Sequence, residues 1–161
     1  MSEATEGETH RLAQVRLDPK TIPSADPDRR HDLEIAVFDL VDDNRFEPTA
    51  ASTGPYSMAL AQLGTKLSIV CMDAGDDCVL DLEISLTPIR TLMKDYNAVC
   101  DSYYSAIRTA SPRQIEMVDR ERTALHNQGA KLLIEKFAAQ AAMDESTGRR
   151  LFTLIAEILR R

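Results

Sequence analysis

The chain has 161 residues, enough for one ordinary domain that buries about 70% of its unfolded surface without a disulfide or a metal to stabilise it. Its hydrophobic fraction of 43% and formal net charge of −7 are typical of a globular protein, and the absence of Trp predicts a mainly aliphatic core. No run approaches the ~20 apolar residues of a membrane span, and the acidic first ten residues do not resemble a signal peptide, so we expect a cytoplasmic protein without membrane contact.

The charge is unevenly distributed. Acidic residues dominate residues 1–87, whereas residues 88–161 carry a slight excess of Lys and Arg. An acidic half disfavours a sequence-independent grip on phosphates, so binding to nucleic acid is not the first expectation. One alternative is a local basic face that binds RNA, although a solvated helix surface is the simpler interpretation. The four residues of this candidate basic face are Arg149, Arg150, Arg160 and Arg161.

The N-terminal part is predicted to contain a tail, a strand and a helix. Residues 1–10 have the composition of a disordered acidic tail. Residues 13–17 alternate apolar and polar side chains, the pattern of a strand with one face exposed to water. After a loop marked by Pro23 and Pro27, residues 28–44 show the apolar spacing of a helix. The predicted buried stripe of this helix consists of Leu33, Ala36, Val37, Leu40 and Val41.

Three short strands are predicted next, over residues 56–61, 66–72 and 78–86, joined as an antiparallel meander with one buried face. The acidic turn between the second and third of them lacks the ligand spacing of an EF-hand, so we interpret it as a solvated turn. The chain has three cysteines, an odd number, which favours reduced thiols over a disulfide framework. Cys71 and Cys78 can face one another across this hairpin, and we interpret them as packing thiols rather than a redox pair.

From Thr87 onward the apolar period is that of helices. The first has an apolar stripe that extends to Ile107, a capping box at Ser111 begins the second, and Asp144 caps the third. This order of elements predicts an α+β fold: a small antiparallel sheet of about four strands, with one N-terminal helix and three C-terminal helices packed on it. We expect residues 11–161 to form this single domain.

The second C-terminal helix carries a polar row in its middle. Asp119, Arg122 and His126 lie at spacings of three and four, so hydrogen bonds and ion pairing can link them along one face. A general base needs both a substrate group to act on and an orienting partner, and this row supplies at most half of that arrangement. The favoured interpretation is a half-buried histidine satisfied by Asp119, Arg122 or a tyrosine hydroxyl.

Gly129 lies at the centre of the apolar face of the same helix. Glycine costs about 1 kcal/mol relative to alanine in a helix interior, which indicates that another backbone or a ring approaches closely, with Tyr96 or Tyr103 as the candidate ring. Asn127 points about 100° away from His126 on an unbroken helix. The two residues therefore form a joint site only if the helix breaks near Gly129, and we favour the unbroken helix.

Six segments of the chain resemble one family over residues 11–160, in the same order. They are DNRFEP (43–48), GPY (54–56), KDYNAVCDSYYSAIR (94–108), SPRQIEMVD (111–119), LHNQG (125–129) and RRLFTLI (149–155). Together they resemble the uncharacterised protein family 0262 of the UPF series, small proteins of alphaproteobacteria. The chain departs from the family pattern at Glu121, Gln128 and Gly148. The resemblance implies a stand-alone cytosolic bacterial protein without an assigned activity or cofactor, and it transfers no catalytic residue.

The functional expectations follow from absent motifs and from two candidate surfaces. No GxSxG, HExxH, Walker or GxGxxG motif occurs, so we predict no catalytic residue, metal or cofactor and lean away from an enzyme. The leading hypothesis is an interaction or regulatory module that binds an unknown protein partner or itself through the wide apolar stripe of the last helix. That candidate interface comprises Leu151, Phe152, Leu154, Ile155, Ile158 and Leu159.

The alternative, from a different class, is a small-molecule-binding protein or a small enzyme. Its pocket would lie between the tyrosine-bearing helix and the helix of His126, where polar groups surround an apolar floor. The candidate pocket comprises Tyr103, Tyr104, Arg108, Asp119, Arg122 and His126.

Overall fold

The computed structural model describes residues 9–21, 26–109 and 111–159, and within them every side chain except those of residues 103 and 106. The predicted tail lies outside this part except for Thr9 and His10. The His10 carbonyl accepts a hydrogen bond of 2.9 Å from the Phe46 amide, so His10 belongs to the folded part. The elements, in chain order, are β1 (Leu12–Leu17), α1 (Pro27–Asp42), β2 (Phe46–Pro48), β3 (Tyr56–Leu63), β4 (Lys66–Met72), β5 (Cys78–Ser85), α2 (Thr87–Thr109), α3 (Pro112–Phe137), β6 (Ala141–Met143) and α4 (Glu145–Leu159).

The main sheet has the strand order β1-β3-β4-β5. The predicted meander is confirmed: β3, β4 and β5 pair antiparallel in sequence, with Met58 opposite Cys71 and Ile69 opposite Leu82. β1 joins the outer side of β3 in the parallel direction, so the sheet is mixed rather than purely antiparallel. With helices following the meander and packing on the sheet, the α+β fold class is confirmed.

β1 differs from its predicted pattern in one detail. Strict alternation predicts that Ala13, Val15 and Leu17 share the buried face, but Leu12 and Val15 are buried and Ala13 is exposed. The pairing with β3 is irregular between Leu12 and Gln14. Such an irregularity changes which face the side chains take and interrupts the period of two. A short pattern of five residues could not reveal it.

A second, two-stranded sheet was not predicted. β2 pairs antiparallel with β6, with Phe46 opposite Met143. The Phe46 ring is fully buried and contacts the rings of Tyr56 and Phe137, with centroids 6.0 and 6.5 Å apart. Strands of three residues are too short to show a period of two, so no local pattern predicts them. This small sheet ties the segment after α1 to the segment before α4.

The first two C-terminal helices begin as predicted, but the apolar stripe of α2 is covered only along its first half. Ile89 and Met93 are buried, whereas Ile107 is 51% exposed. The capping box of α3 is confirmed: the Ser111 hydroxyl accepts from the Gln114 amide, and the Gln114 side chain accepts from the Ser111 amide. α3 then continues without a break through Gly129.

The last helix, α4, occupies the centre of the molecule. Asp144 caps it as predicted by accepting a hydrogen bond of 2.9 Å from the Thr147 amide. α4 contacts α1, α2 and α3. The predicted interface is therefore wrong as an exposed surface, because each of its residues is at most 6% exposed and packs inside the domain. These residues are Leu151, Phe152, Leu154, Ile155, Ile158 and Leu159. In the described part of the chain, no helix combines the length and the apolar character needed to cross a membrane.

Candidate functional site

His126 lies at the contact between α3 and α4. Its Nε2 atom is 2.9 Å from the carbonyl oxygen of Arg149 and 2.9 Å from the hydroxyl oxygen of Thr153. A carbonyl oxygen only accepts hydrogen bonds, so the bond to Arg149 requires the proton on Nε2. The half-buried, satisfied histidine was the favoured interpretation, but the partners named from the sequence are wrong. Both partners come from α4, a helix more than twenty residues downstream.

The rings of Tyr96, His126 and Phe152 form a cluster at this contact. The His126 ring centroid is 5.8 Å from that of Tyr96 and 5.8 Å from that of Phe152, and the Tyr96 and Phe152 rings meet edge to face at 6.2 Å. Gly129 makes room for this cluster, because a Cβ atom there would overlap the Phe152 ring. The close approach of a ring was predicted, but the ring belongs to Phe152 of α4 rather than to a tyrosine of α2.

Burial determines the protonation of the cluster. It lowers the pKa of His126, and the nearby charges of Arg149 and Arg122 lower it further, against the opposing effect of the hydrogen bond to the Arg149 backbone. Burial likewise raises the pKa of Tyr96 to about 12. Both side chains are therefore neutral near pH 7.

The predicted polar row is formed in part. Arg122 Nη2 donates a hydrogen bond of 2.6 Å to Asp119 Oδ1, and this bond is the largest cause of the raised pKa of Arg122. His126 instead bonds across to α4. The row thus has two separate parts: Asp119 and Arg122 form an ion pair, whereas His126 lies in the contact between α3 and α4.

Arg149 connects the two neighbouring polar residues of α3. Its carbonyl accepts the bond from His126, and its Nη1 atom donates to Asn127 Oδ1 at 3.1 Å, with Glu145 at 3.6 Å. Asn127 and His126 point in different directions on the unbroken helix, as predicted, yet both contact the same residue of α4. This arrangement sets the register of α3 against α4.

A polar cleft lies beside the ring cluster, between α2, α3 and α4, with a volume of about 470 Å³. Of the predicted pocket residues, Tyr104 and Arg122 line it, and Asp119 adjoins it through its bond to Arg122. His126 contacts three of the lining residues, Arg108 is exposed toward the end of α2, and the side chain of Tyr103 lies outside the described residues. The cleft is lined by Tyr96, Asn97, Cys100, Asp101, Tyr104, Arg122, Phe152, Thr153, Ala156 and Glu157.

The predicted pocket contained only Tyr104 and Arg122 of these ten lining residues, so sequence reasoning missed most of the cleft. Asn97 and Asp101 continue the face of Tyr104 at spacings of four and three along α2, a signal that helical periodicity could have provided. Thr153 and Glu157 come from α4, of which only the apolar stripe and the arginines had been predicted to form surfaces. Their placement depends on how α4 packs.

A second concave surface lies at the free edge of the main sheet. An apolar groove of about 460 Å³ runs between β1 and α1, and Phe38, which lines it, is 67% exposed. Ile35, three residues before Phe38 on α1, is 45% exposed. Neither residue belongs to the predicted buried stripe of α1. Two apolar residues outside that stripe were a sequence signal for an exposed apolar surface, and sequence reasoning missed it. The groove is lined by Ala13, Gln14, Val15, Leu17, Arg30, Leu33, Glu34, Val37, Phe38 and Val41.

Asn44 limits the length of the free edge. Its side chain accepts a hydrogen bond of 2.7 Å from the Leu12 amide and donates one of 2.9 Å to the Leu12 carbonyl. The side-chain amide of Asn44 thus makes the hydrogen bonds to Leu12 that a neighbouring strand would otherwise make. In the described part of the chain no second strand pairs with this edge, and the groove lies along residues 13–17.

The predicted basic face is only partly described. Arg149 bonds to Asn127, as above, and Arg150 donates to the Ser146 hydroxyl at 2.6 Å and lies 3.7 Å from Asp43. Arg160 and Arg161 lie outside the described residues. The two described arginines therefore contribute to contacts within the fold.

The cysteines and the acidic side chains form a third set of candidate groups. Cys71, Cys78 and Cys100 are free thiols, and burial raises the pKa of Cys71 to about 12, which keeps that thiol protonated. Among the described residues, no group of three or more His, Cys, Asp and Glu is arranged to hold a metal ion.

These features define a small α+β domain with a helix-covered mixed sheet, a polar cleft among its C-terminal helices and an apolar groove at a free sheet edge. The chain belongs to the uncharacterised protein family UPF0262, whose family model matches residues 9–161, and that family has no assigned function. The family prediction is therefore confirmed.

Relatives in this family come from several alphaproteobacteria. The chain is 42% identical over 146 residues to a UPF0262 protein of Methylobacterium radiotolerans, covering 91% of both chains. It is 40% identical over 149 residues to one of Caulobacter vibrioides, covering 92% of both. It is 42% identical over 146 residues to one of Rhizobium etli, covering 90% of this chain and 92% of the relative. No solved structure matches the chain.

Proposed function

We propose that this protein is a non-enzymatic interaction module of the bacterial cytoplasm, and that its docking surface is the groove between β1 and α1. The observation that carries the proposal is the apolar groove of about 460 Å³ along the free sheet edge, with Phe38 exposed beside it. This surface replaces the α4 stripe as the candidate interface.

The edge of β1 supports binding of an extended segment. β1 is the last strand of the main sheet on its side, and it pairs with β3 along its other edge. An edge strand presents backbone amides and carbonyls in the spacing that another strand requires, and proteins commonly use such edges to bind extended peptides. Helix α1, which lines the groove together with β1, would contact one face of the added strand.

The chemistry of the groove supports an apolar contact with a polar rim. Val15, Val37 and Val41 provide the floor, and Phe38 offers a large exposed ring, the kind of residue that contributes much of the binding energy at interfaces. Arg30 and Glu34 lie at the rim.

Selection from a displayed library of random short peptides tests this function. The folded protein is expected to enrich extended peptides with alternating apolar residues, and Phe38→Asp is expected to abolish their binding. Met117 on α3 is 57% exposed on another surface, so Met117→Asp is the matched control and should bind as the native protein does. Peptides that bind both variants equally, or a library without enrichment, would contradict the proposal.

A second candidate function is binding of a small molecule in the polar cleft. What supports it is a cavity of about 470 Å³ that combines aromatic walls with Arg122, Asp101 and Glu157, since ligand sites usually pair an apolar surface with a few polar groups. A thermal-shift screen against metabolites and nucleotides tests it. A ligand of the cleft should stabilise the native protein and lose that effect with Tyr104→Ala, because Tyr104 lines the cleft and is 69% exposed.

A further inference from the structure

We infer that the groove binds a second copy of this chain, so that the β1 strands of two copies pair antiparallel and extend the sheet across a two-fold axis. The inference rests on the proposed docking surface and names its occupant. A two-fold interface joins the same patch of both copies, so the patch must be complementary to itself.

The charges of α1 provide this complementarity. Arg30 lies near the N-terminal end of the helix, Asp42 is its last residue, and both side chains are exposed on the side that carries Phe38. In an antiparallel pair of α1 helices, the N-terminal half of one copy lies beside the C-terminal half of the other. Arg30 of each copy then faces Asp42 of the other.

The apolar residues lie between these charged ends. Ile35 and Phe38 stand near the middle of α1, at the position where a two-fold axis relating two antiparallel copies of the helix would pass. Pairing buries both exposed side chains at the centre of the interface and leaves the charges at its rim, the usual arrangement of a specific interface. A single patch thus has an apolar centre with opposite charges at its two ends.

The free edge of β1 is consistent with pairing of two copies. The Asn44 side chain bonds to Leu12, and among the described residues no second strand pairs with the outer edge of β1 along residues 13–17. Antiparallel pairing centred on Val15 places Arg16 opposite Gln14 of the second copy rather than opposite another arginine. Like charges therefore do not meet along the strand.

Sedimentation velocity across a concentration series measures the association. The native protein is expected to form a dimer, and Phe38→Asp to raise the dissociation constant by on the order of thirty-fold or more. Met117→Asp should leave it unchanged. Circular dichroism establishes that both variants remain folded. A native protein that stays monomeric throughout, or a dimer unaffected by Phe38→Asp, overturns the inference.

Charge reversal tests the two-fold geometry. Arg30→Asp alone and Asp42→Arg alone are each expected to weaken the dimer about tenfold, because each creates two like-charge contacts. The double variant should return to within about threefold of the native value. A double variant no better than the weaker single overturns the arrangement.

These outcomes separate the inference from the proposed function. A monomeric native protein that still selects peptides in a Phe38-dependent manner overturns the second copy as occupant and retains the groove as a docking surface. If peptide selection and dimerisation are both independent of Phe38, both proposals fail.

Discussion

At the contact between α3 and α4, single residues that are unfavourable within their own helix allow the two helices to pack closely. Gly129 weakens its helix but allows the Phe152 ring to lie against the backbone, and His126 ties the same helix to the Arg149 carbonyl. Each residue is unfavourable or unremarkable in isolation. Together they explain why a polar cluster and a glycine interrupt an otherwise apolar face.

The Gly129→Ala variant is expected to lower the free energy of unfolding by about 1 kcal/mol, because overlap with the buried Phe152 ring outweighs the gain in helix propensity. Denaturant unfolding measures the change. In a Phe152→Leu background, where the ring is absent, the same substitution should become neutral or stabilising. An equal loss in both backgrounds would show that the ring is not the cause.

The lowered pKa of His126 predicts a pH dependence of stability. The unfolded histidine titrates near 6.5 and the folded one below that value, so the unfolded state binds more protons between the two pKa values. The stabilisation is therefore complete above about pH 6.5 and is lost as the pH falls through the folded pKa. Urea unfolding at about pH 7.5 and about pH 5 should show a smaller loss for His126→Gln than for the native protein. Equal losses would contradict the assignment.

At the scale of elements, helix termini were the features that local sequence predicted best. The capping box of α3 joins Ser111 and Gln114, and Asp144 caps α4, both through hydrogen bonds from amides three residues away. Such contacts lie within a few residues of chain and depend little on the rest of the fold.

The Ser111→Ala variant is expected to cost about 1 kcal/mol of stability, because it leaves the amides of the first turn of α3 without the capping hydroxyl. Thermal and denaturant unfolding measure it. Ser105→Ala is the matched control, since Ser105 is exposed inside α2 and alanine is favourable there. A control that destabilises as much as Ser111→Ala would argue against capping as the cause.

At the scale of the whole molecule, stability depends on where long-range contacts place each apolar side chain. Phe46 and Phe38 lie eight residues apart, yet Phe46 is fully buried between two other rings and Phe38 is 67% exposed. Helical spacing places Phe38 outside the buried stripe of α1, whereas no local pattern predicts that Phe46 is buried. The β2–β6 pairing, which brings together segments about a hundred residues apart, makes the difference.

The Phe46→Ala variant is expected to lose about 3–5 kcal/mol of unfolding free energy, because it leaves a cavity where β2, β3 and α3 meet. Phe38→Ala removes the same atoms from the surface and should stay within about 0.5 kcal/mol of the native protein at concentrations where it is monomeric. Denaturant unfolding of both variants compares them directly. Similar losses would contradict the difference in burial.

The sequence by itself determined the order and type of the main elements, the helix caps, the one-sided burial of the meander and the family, because periodicity, capping and segment similarity are properties of short stretches. Only the tertiary structure decided that the α4 stripe is internal, that α4 supplies the partners of His126 and the ring beside Gly129, and that the open apolar surface lies at β1 and α1. The physical reason is that the burial of a side chain depends on whichever element covers it, and here those elements are distant in sequence.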